Sequence, residues 1–458
     1  MVTRRDFLKT SAIATAGVLA AGRSAGTVVQ KKPSVLILGA GLAGLSAAYS
    51  LKKRGFGVTV LEARRRIGGR VFSHFLDKEA NLVVELGAEW VGASHNRIIE
   101  LCKEFGLTLK DNRFSTHLIY KGEHSPKGKW SHSPEWQEKW NQLLREYNAF
   151  TDEDKKRLDK TDWWRFLIKN GISDRDLNIR ELLDSTDFGE TIRSVSAYAA
   201  FAEYAESDEH DEMDFKIEGG NSRLVEALAD RVGREHINIA HKAVRVVQGD
   251  QNVTVRCRTN DGSVREFERD HLICAIPTFA VNKIVWEPDL PADIRWGIDA
   301  LQYARINKTV VQFREKFWKD EDFDMVTDAY GHYFYHATKG QHPSKGALTS
   351  YTIGEKADVI GRQNDAFKKR VVIESLRPAF GDVSKLVSKQ VSYHWGDDEY
   401  SRGSYALYGK GQWYTVMPAL KQRFQRVHFA GEHLADWQGF MEGAINSGEE
   451  AADEVAGG

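Results

Sequence analysis

The sequence predicts an α/β protein of two interleaved domains, and three observations carry that prediction. A short apolar run, 34–38, ends in a glycine-rich turn and is followed by a helical stretch and a second apolar run, 58–61. Strand-like runs return between about residues 243 and 395 after a long helix-and-loop region. A last short strand and helix, 427–455, close the chain far from the first unit. At roughly 150 residues per domain, 458 residues correspond to two or three domains, enough to build a core without disulfide or metal staples.

Composition excludes several classes. Hydrophobic residues at 41% and charged residues at 28% describe an ordinary globular chain rather than a disordered or fibrous one. Sixty-four basic and 65 acidic residues leave a net charge of −1, so no basic excess argues for nucleic acid. Cys102, Cys257 and Cys274 are too few and too far apart for a disulfide framework or a zinc knuckle. No CxxC, HExxH or GxxxxGK[ST] string occurs, and the one GxSxG, Gly22 to Gly26, has no strand before it and reads as chance. Twelve Trp, 15 Tyr and 22 Phe suffice for an aromatic-lined pocket.

The first 26 residues read as a leader. Arg4 and Arg5 precede a mild apolar run from Ser11 to Gly22, and small residues around Ala21 to Gly26 offer a cleavage site. The order of these regions favours a twin-arginine export signal over a basic tail, so the mature protein is expected in the periplasm or secreted. The run is too short to act as a stable membrane anchor.

Ser34 to Leu38 is continuously apolar, as a buried parallel strand is. Gly39, Gly41 and Gly44 form GxGxxG, a helix is expected from Leu45 to about Arg54, and Val58 to Leu61 is a second strand ending at Glu62. Strand, glycine turn, helix, strand and an acid 18 residues past the last glycine together make a dinucleotide-binding unit of Rossmann type. Gly39 makes the tight turn, Gly41 lets backbone approach a pyrophosphate, and Gly44 lets the helix pack on the strand. The helix N-terminus offers N–H groups to phosphate, and Glu62 accepts from both ribose hydroxyls. Farther on, Trp136–Phe150, Trp163–Lys169 and Ile192–Tyr204 have helical spacing, and Glu206 to Asp214, six acids in nine residues, reads as a solvated loop. Strands are expected at 244–247, 253–257, 272–276, 307–313, 387–395 and 427–430, and a helix from Met441 to Val455.

Past Glu62 the chain reads EARRRIGGR, in which Gly68 and Gly69 can lie flat against a cofactor and Arg70 can pair with its pyrophosphate. With GxGxxG this string resembles the flavin-containing amine oxidase family, which includes monoamine, polyamine and L-amino acid oxidases. Further matching strings follow in order: ELGAEW at 85–90, GGNSRL at 219–224, CAIP at 274–277, Lys308, Trp395, GSY at 403–405, HFAGE at 428–432 and GFMEGA at 439–444. They cover about 33 to 455.

The resemblance implies FAD and a discontinuous Rossmann-like FAD-binding domain made of 33–95, 216–285 and 418–458. It implies a substrate-binding domain of mixed β-sheet plus helices made of 96–215 and 286–417. The cofactor-binding residues so implied are Gly39, Gly41, Ala43, Gly44, Glu62, Ala63, Arg64, Gly69, Arg70, Gly87, Ala88, Glu89, Trp90, Val244, Trp395, Glu432, Gly439, Phe440, Met441 and Ala444. Glu432 would hold a ribityl or pyrophosphate-side hydroxyl, and the helix opening at Gly439 would face the pyrimidine edge, where reduction places negative charge. Lys308, ahead of Phe313, Phe317 and Trp318, matches the family lysine that holds a water at flavin N5. Its ammonium would assist oxygen reduction.

Tyr405 and Phe440 match the rings that flank the amine's path, with Trp437 and Trp395 as further wall. Position 404 is serine where the covalently flavinylated members carry cysteine, so FAD is expected to be non-covalent. The substrate end is less determined. Trp90 stands where venom-type L-amino acid oxidases place a carboxylate-binding arginine, and Glu89 either holds a substrate cation or is structural on the flavin side. The expected activity is oxidation of an L-amino acid by hydride transfer to flavin N5, with O2 as acceptor and peroxide, ammonia and a 2-oxo acid as products. A monoamine or polyamine oxidase is the alternative, and a flavoprotein dehydrogenase or isomerase that does not use oxygen is a rival of another class. A homodimer stays open, and no metal is expected.

Overall fold

The computed structural model describes residues 33–207, 209–210 and 212–457; the leader lies outside them. Its centre is a five-stranded parallel sheet in the order Val427–Phe429, His271–Cys274, Ser34–Leu38, Gly57–Leu61, Ile237–Asn238. Ser34–Leu38 is the middle strand and is buried on both faces, which is why its sequence is continuously apolar. Both of its neighbours follow it in the chain but flank it on opposite sides, Gly57–Leu61 on one and His271–Cys274 on the other. The crevice at its C-terminal end is therefore a topological switch point, where ligands of such sheets bind.

The helix after the glycine turn runs Leu42–Lys53 and starts three residues earlier than the sequence pattern suggests, because Gly41 itself is the N-cap. It crosses the closing helix, Met441–Gly457, at small residues. Added to Gly448, a Cβ would lie 2.1 Å from Ala43 O. The helix Asn96–Phe105 begins past the domain boundary expected at residue 95. It buries Ile98, Leu101 and Cys102 in the same core as these two helices.

The second unit is a seven-stranded sheet in the order Val387–His394, Ile306–Phe313, Gly346–Ile353, Tyr333–His336, Phe323–Thr327, Ser115–Tyr120, Glu123–Ser125. It is mostly antiparallel, with one parallel pair between Phe323–Thr327 and Ser115–Tyr120. The strand expected at 307–313 runs Ile306–Phe313 and is buried at every position, so it has no solvent face.

A helical part packs on this sheet and on the parallel sheet. Asp174–Phe188 has no apolar periodicity strong enough to announce it, and it buries Asp176, Arg180, Asp184 and Thr186 along with its apolar residues. The helix expected over 192–204 forms only from Ala197 to Glu206. Ser196 stops its extension toward residue 192 by capping Tyr198 N and Ala199 N. The acidic segment is not uniformly solvated. Glu212 and Asp214 are buried, Glu212 accepting from Ser94 Oγ at 2.6 Å and Asp214 from Ala93 N at 2.7 Å. Among the described residues no helix is long and apolar enough to cross a membrane, and no group of His, Cys, Asp or Glu could hold a metal ion.

Candidate active site

One cleft of about 310 Å³ runs from the glycine turn, past the end of the parallel sheet, to the helical part. Of the residues expected to bind the cofactor or substrate or to take part in catalysis, all line it except Gly44 and Trp437. Gly44 lies behind the turn: a Cβ there would sit 1.9 Å from Gly39 O, so the helix is packed on its own turn. Trp437 packs edge-on against His95 and Phe440, one layer back from the wall.

At the dinucleotide end, Gly39 has φ +98° and its N–H bonds Leu61 O at 2.9 Å. Gly41 and Gly69 face each other across the turn, a Cβ on Gly69 being 3.5 Å from Gly41 Cα. Glu62 accepts from Ala40 N at 2.8 Å and from Arg64 N at 2.7 Å, so it braces the turn as well as facing the cleft; burial raises its carboxyl above the usual range. Arg64 forks onto Asp398 at 2.7 and 2.6 Å. Burial pushes the Asp398 carboxyl up, but the hydrogen bonds from Arg64 and Tyr393 outweigh it and bring it to about 2. Arg70, expected on a pyrophosphate, donates to Glu432 Oε1 at 2.5 Å and to Ser404 O at 2.7 Å. Glu432, expected on a cofactor hydroxyl, also accepts from Gly439 N at 2.9 Å. The two motifs are thus tied to each other.

In the middle of the cleft stands Lys308, 3% exposed. Its Nζ donates to Gly87 O at 2.7 Å and Glu85 O at 3.2 Å and lies 3.4 Å from Glu89 Oε2. Rings of Trp90, Tyr335 and Tyr351 surround it at 5.6, 5.7 and 5.7 Å. Burial lowers its ammonium below the usual range, opposed by the charges of Glu89 and Glu85. Trp395 is buried and fixed by its Nε1 on Leu86 O at 2.8 Å.

At the far end, the Tyr405 hydroxyl donates to Asp187 O at 2.8 Å and stands 3.0 Å from the Tyr351 hydroxyl. Burial, then Tyr351 and the charges of Asp187 and Glu203, push this phenol well above its ordinary value. Asp187 Oδ2 accepts from Tyr204 at 2.8 Å. Phe440 completes the wall, its ring 5.1 Å from that of His95. Asp187, Tyr335 and Tyr351 belong to no motif in the sequence, and Glu203 and Tyr204 lie there only within a helical stretch with no functional signal. The one trace of the tyrosines is the Tyr-Phe-Tyr run of 333–335.

The residues present suit an anionic dinucleotide. The helix Leu42–Lys53 has no side-chain cap and no acid in its first turn, so its free N–H groups face the cleft, and Gly41 leaves room there, the nearest atom to a Cβ being 4.0 Å away. The sequence from residue 42 to 456 matches the model of the family described as flavin containing amine oxidoreductase. The chain belongs to that family. Within it, the chain is 27% identical to the flavin-containing amine oxidase B of Homo sapiens, over 93% of this chain and 86% of that one. It is 26% identical to the L-amino acid oxidase Lm29 of Lachesis muta, over 92% and 86%. Its fold superimposes on a putrescine oxidase structure determined with putrescine bound, with a TM-score of 0.81 at 22% identity, over 93% and 99%. Membership fixes a flavin-dependent amine oxidoreductase that uses an amine and O2.

Proposed function

We propose that this chain is an FAD-dependent oxidase of amines that carry no carboxylate, with FAD held non-covalently. The observation that supports the substrate choice is the charge of the cleft. Its lysines and arginines are Arg64, Arg70, Lys242, Lys283 and Lys308. Arg64, Arg70, Lys242 and Lys308 pair with Asp398, Glu432, Glu399 and Glu89, and Lys283 lies over the Phe279 ring. Beside Tyr405 stand two acids, Asp187 and Glu203. A substrate carboxylate buried against them would lack a counter-charge, which is strongly disfavoured, whereas an amine is attracted. Beside Tyr405 the described residues give the L-amino acid expected from the sequence no cation of this kind, and Lys283 is the one cleft cation without a carboxylate partner.

Bound there, FAD would supply the two-electron redox chemistry between the amine and O2. Glu62, the backbone of 39–41 and 68–69, and the start of the closing helix would hold it. Phe440, Tyr405 and Tyr351 exclude water and orient the amine. Tyr405, held protonated by burial, does not take the amine's proton, so the ammonium drawn in by the acids has to lose its proton to solvent before it is oxidised, and activity rises with pH. Cys102, Cys257 and Cys274 are buried and none lines the cleft, which supports a non-covalent cofactor. Export by the leader is likewise our proposal, tested by fractionating cells with and without Arg4 and Arg5.

The deciding assay follows peroxide from L-phenylalanine and phenethylamine side by side. The amine is expected to exceed the acid by at least about tenfold in kcat/KM, a difference of about 1.4 kcal/mol. A preference for the amino acid overturns the substrate choice, and no peroxide from any amine overturns the oxidase.

A further inference from the structure

Four ionisable side chains meet inside the protein where the cleft passes the end of the parallel sheet: Lys308, Lys216, Glu85 and Glu89, all buried. Their surroundings separate them. Glu85 accepts from Asn221 N at 2.8 Å and from Ser73 Oγ at 2.9 Å, and burial with the Glu89 charge pushes it up to about 7. Lys216 donates to Ala337 O at 3.2 Å. Lys308 has two main-chain acceptors and one carboxylate, that of Glu89, whose Oε2 also accepts from the Tyr335 hydroxyl at 2.9 Å. Glu89 is 2% exposed, so the cation it meets is the chain's own lysine rather than a substrate.

We propose that Glu89 is a positioning residue for Lys308: oriented by Tyr335, its carboxylate is the counter-charge that anchors the Lys308 ammonium against Gly87 at the wall of the cleft. An ammonium taken from water into this site is costly unless paired, and the carbonyls of Glu85 and Gly87 satisfy its N–H bonds without balancing its charge. The Tyr335 hydroxyl, donating to Glu89 Oε2, fixes that carboxylate and spares it a second conformation. The groups facing Lys308 are Glu85 and Glu89, with Lys216 beyond them, and the rings of Tyr335, Tyr351 and Trp90. The inference rests on the proposed role of Lys308 in flavin reoxidation.

The test uses the holoenzyme and four variants: Glu89→Gln, Tyr335→Phe, Lys308→Met, and Glu89→Gln combined with Lys308→Met. Stopped-flow reoxidation is followed from about pH 6 to about pH 10, the range in which a buried lysine titrates. In Glu89→Gln the alkaline fall in rate is expected to move toward neutrality by at least about one pH unit, and in Tyr335→Phe by less in the same direction. Lys308→Met slows reoxidation about tenfold or more and abolishes the alkaline fall, and adding Glu89→Gln changes nothing further. Thermal unfolding gives a reading independent of turnover. Burial lowers Lys308 in the folded state, so its penalty is full below the folded-state value and fades as pH rises from there toward the unfolded value of about 10.4. Glu89→Gln deepens that penalty, so its Tm deficit narrows as pH rises and vanishes in the Lys308→Met background. A Glu89→Gln profile that superimposes on the wild type, or a Tm deficit that persists without Lys308, overturns the proposal. Normal reoxidation in Lys308→Met with the Tm coupling intact overturns the role of Lys308 alone.

Discussion

Arg70 and Glu432 stand 362 residues apart in the chain and share an ion pair of 2.5 Å. The same carboxylate takes Gly439 N at 2.9 Å and Ala406 N at 3.2 Å, and the same guanidinium takes Ser404 O at 2.7 Å. One contact therefore joins the Gly68-Gly69-Arg70 string, the Tyr405 segment and the approach to the closing helix, three pieces that line the same cleft.

Arg70→Met would leave Glu432 buried without its cation. Breaking such a pair costs about 3–5 kcal/mol, so the unfolding free energy from denaturant titration should drop by that amount at neutral pH, with Arg70→Lys losing less because a charge remains. A loss below about 1 kcal/mol would mean that the Gly439 and Ala406 N–H groups hold Glu432 unaided.

Gly44→Ala puts a Cβ 1.9 Å from Gly39 O, and Gly448→Ala puts one 2.1 Å from Ala43 O. Main-chain atoms cannot yield as a flexible side chain does, so each substitution forces the helix off the turn or off its neighbour, at a cost of about 1–3 kcal/mol or more. Both variants should purify with less FAD per chain than wild type. Gly57→Ala, whose Cβ meets nothing closer than 3.7 Å, should retain it. Equal flavin content in all three would sink the packing argument.

The glycine turn and Glu62 were legible in the sequence because each needs a specific residue at a fixed spacing, and spacing survives in one dimension. Lys308 was placed on its strand by the apolar residues around it, but that the strand is buried at every position depends on what packs against it and left no local signal. Asp187 and Glu203 were not legible. They come from two helices that meet near Tyr405 only after the helical part has folded. One of those helices, Asp174–Phe188, buries charged residues in place of an apolar stripe. Arg70 and Glu432 were each read as ligand-binding in isolation, since pairing across 362 residues leaves no local signal.

Because Ser404 cannot form a thioether and no cysteine lines the cleft, acid or heat precipitation should release all the yellow colour into the supernatant. Flavin that remains in the pellet, or a peptide that carries flavin absorbance after proteolysis, would show a covalent bond formed through another residue.

The acidic end of the cleft yields the last prediction. Glu203 and Asp187 face the Tyr405 phenol closely enough to oppose its ionisation, and Tyr204 fixes Asp187 by a 2.8 Å hydrogen bond. Negative charge at this place attracts a positive group on the substrate remote from the carbon being oxidised, and a charge-assisted hydrogen bond there contributes about 1.5–3 kcal/mol. Putrescine and n-butylamine differ only in that remote group. The wild type should therefore favour putrescine in kcat/KM, and Glu203→Gln should cut the preference by about tenfold, which is about 1.4 kcal/mol. The loss should fall on putrescine and leave n-butylamine nearly unchanged, because the uncharged tail has nothing to lose. Raising the ionic strength should narrow the wild-type preference only slightly if the carboxylate is shielded from solvent, and strongly if the attraction acts at the mouth of the cleft. A selectivity ratio that does not move in Glu203→Gln or in Asp187→Asn would assign these acids to holding the helical part together and leave substrate choice to Tyr405, Phe440 and the shape of the wall.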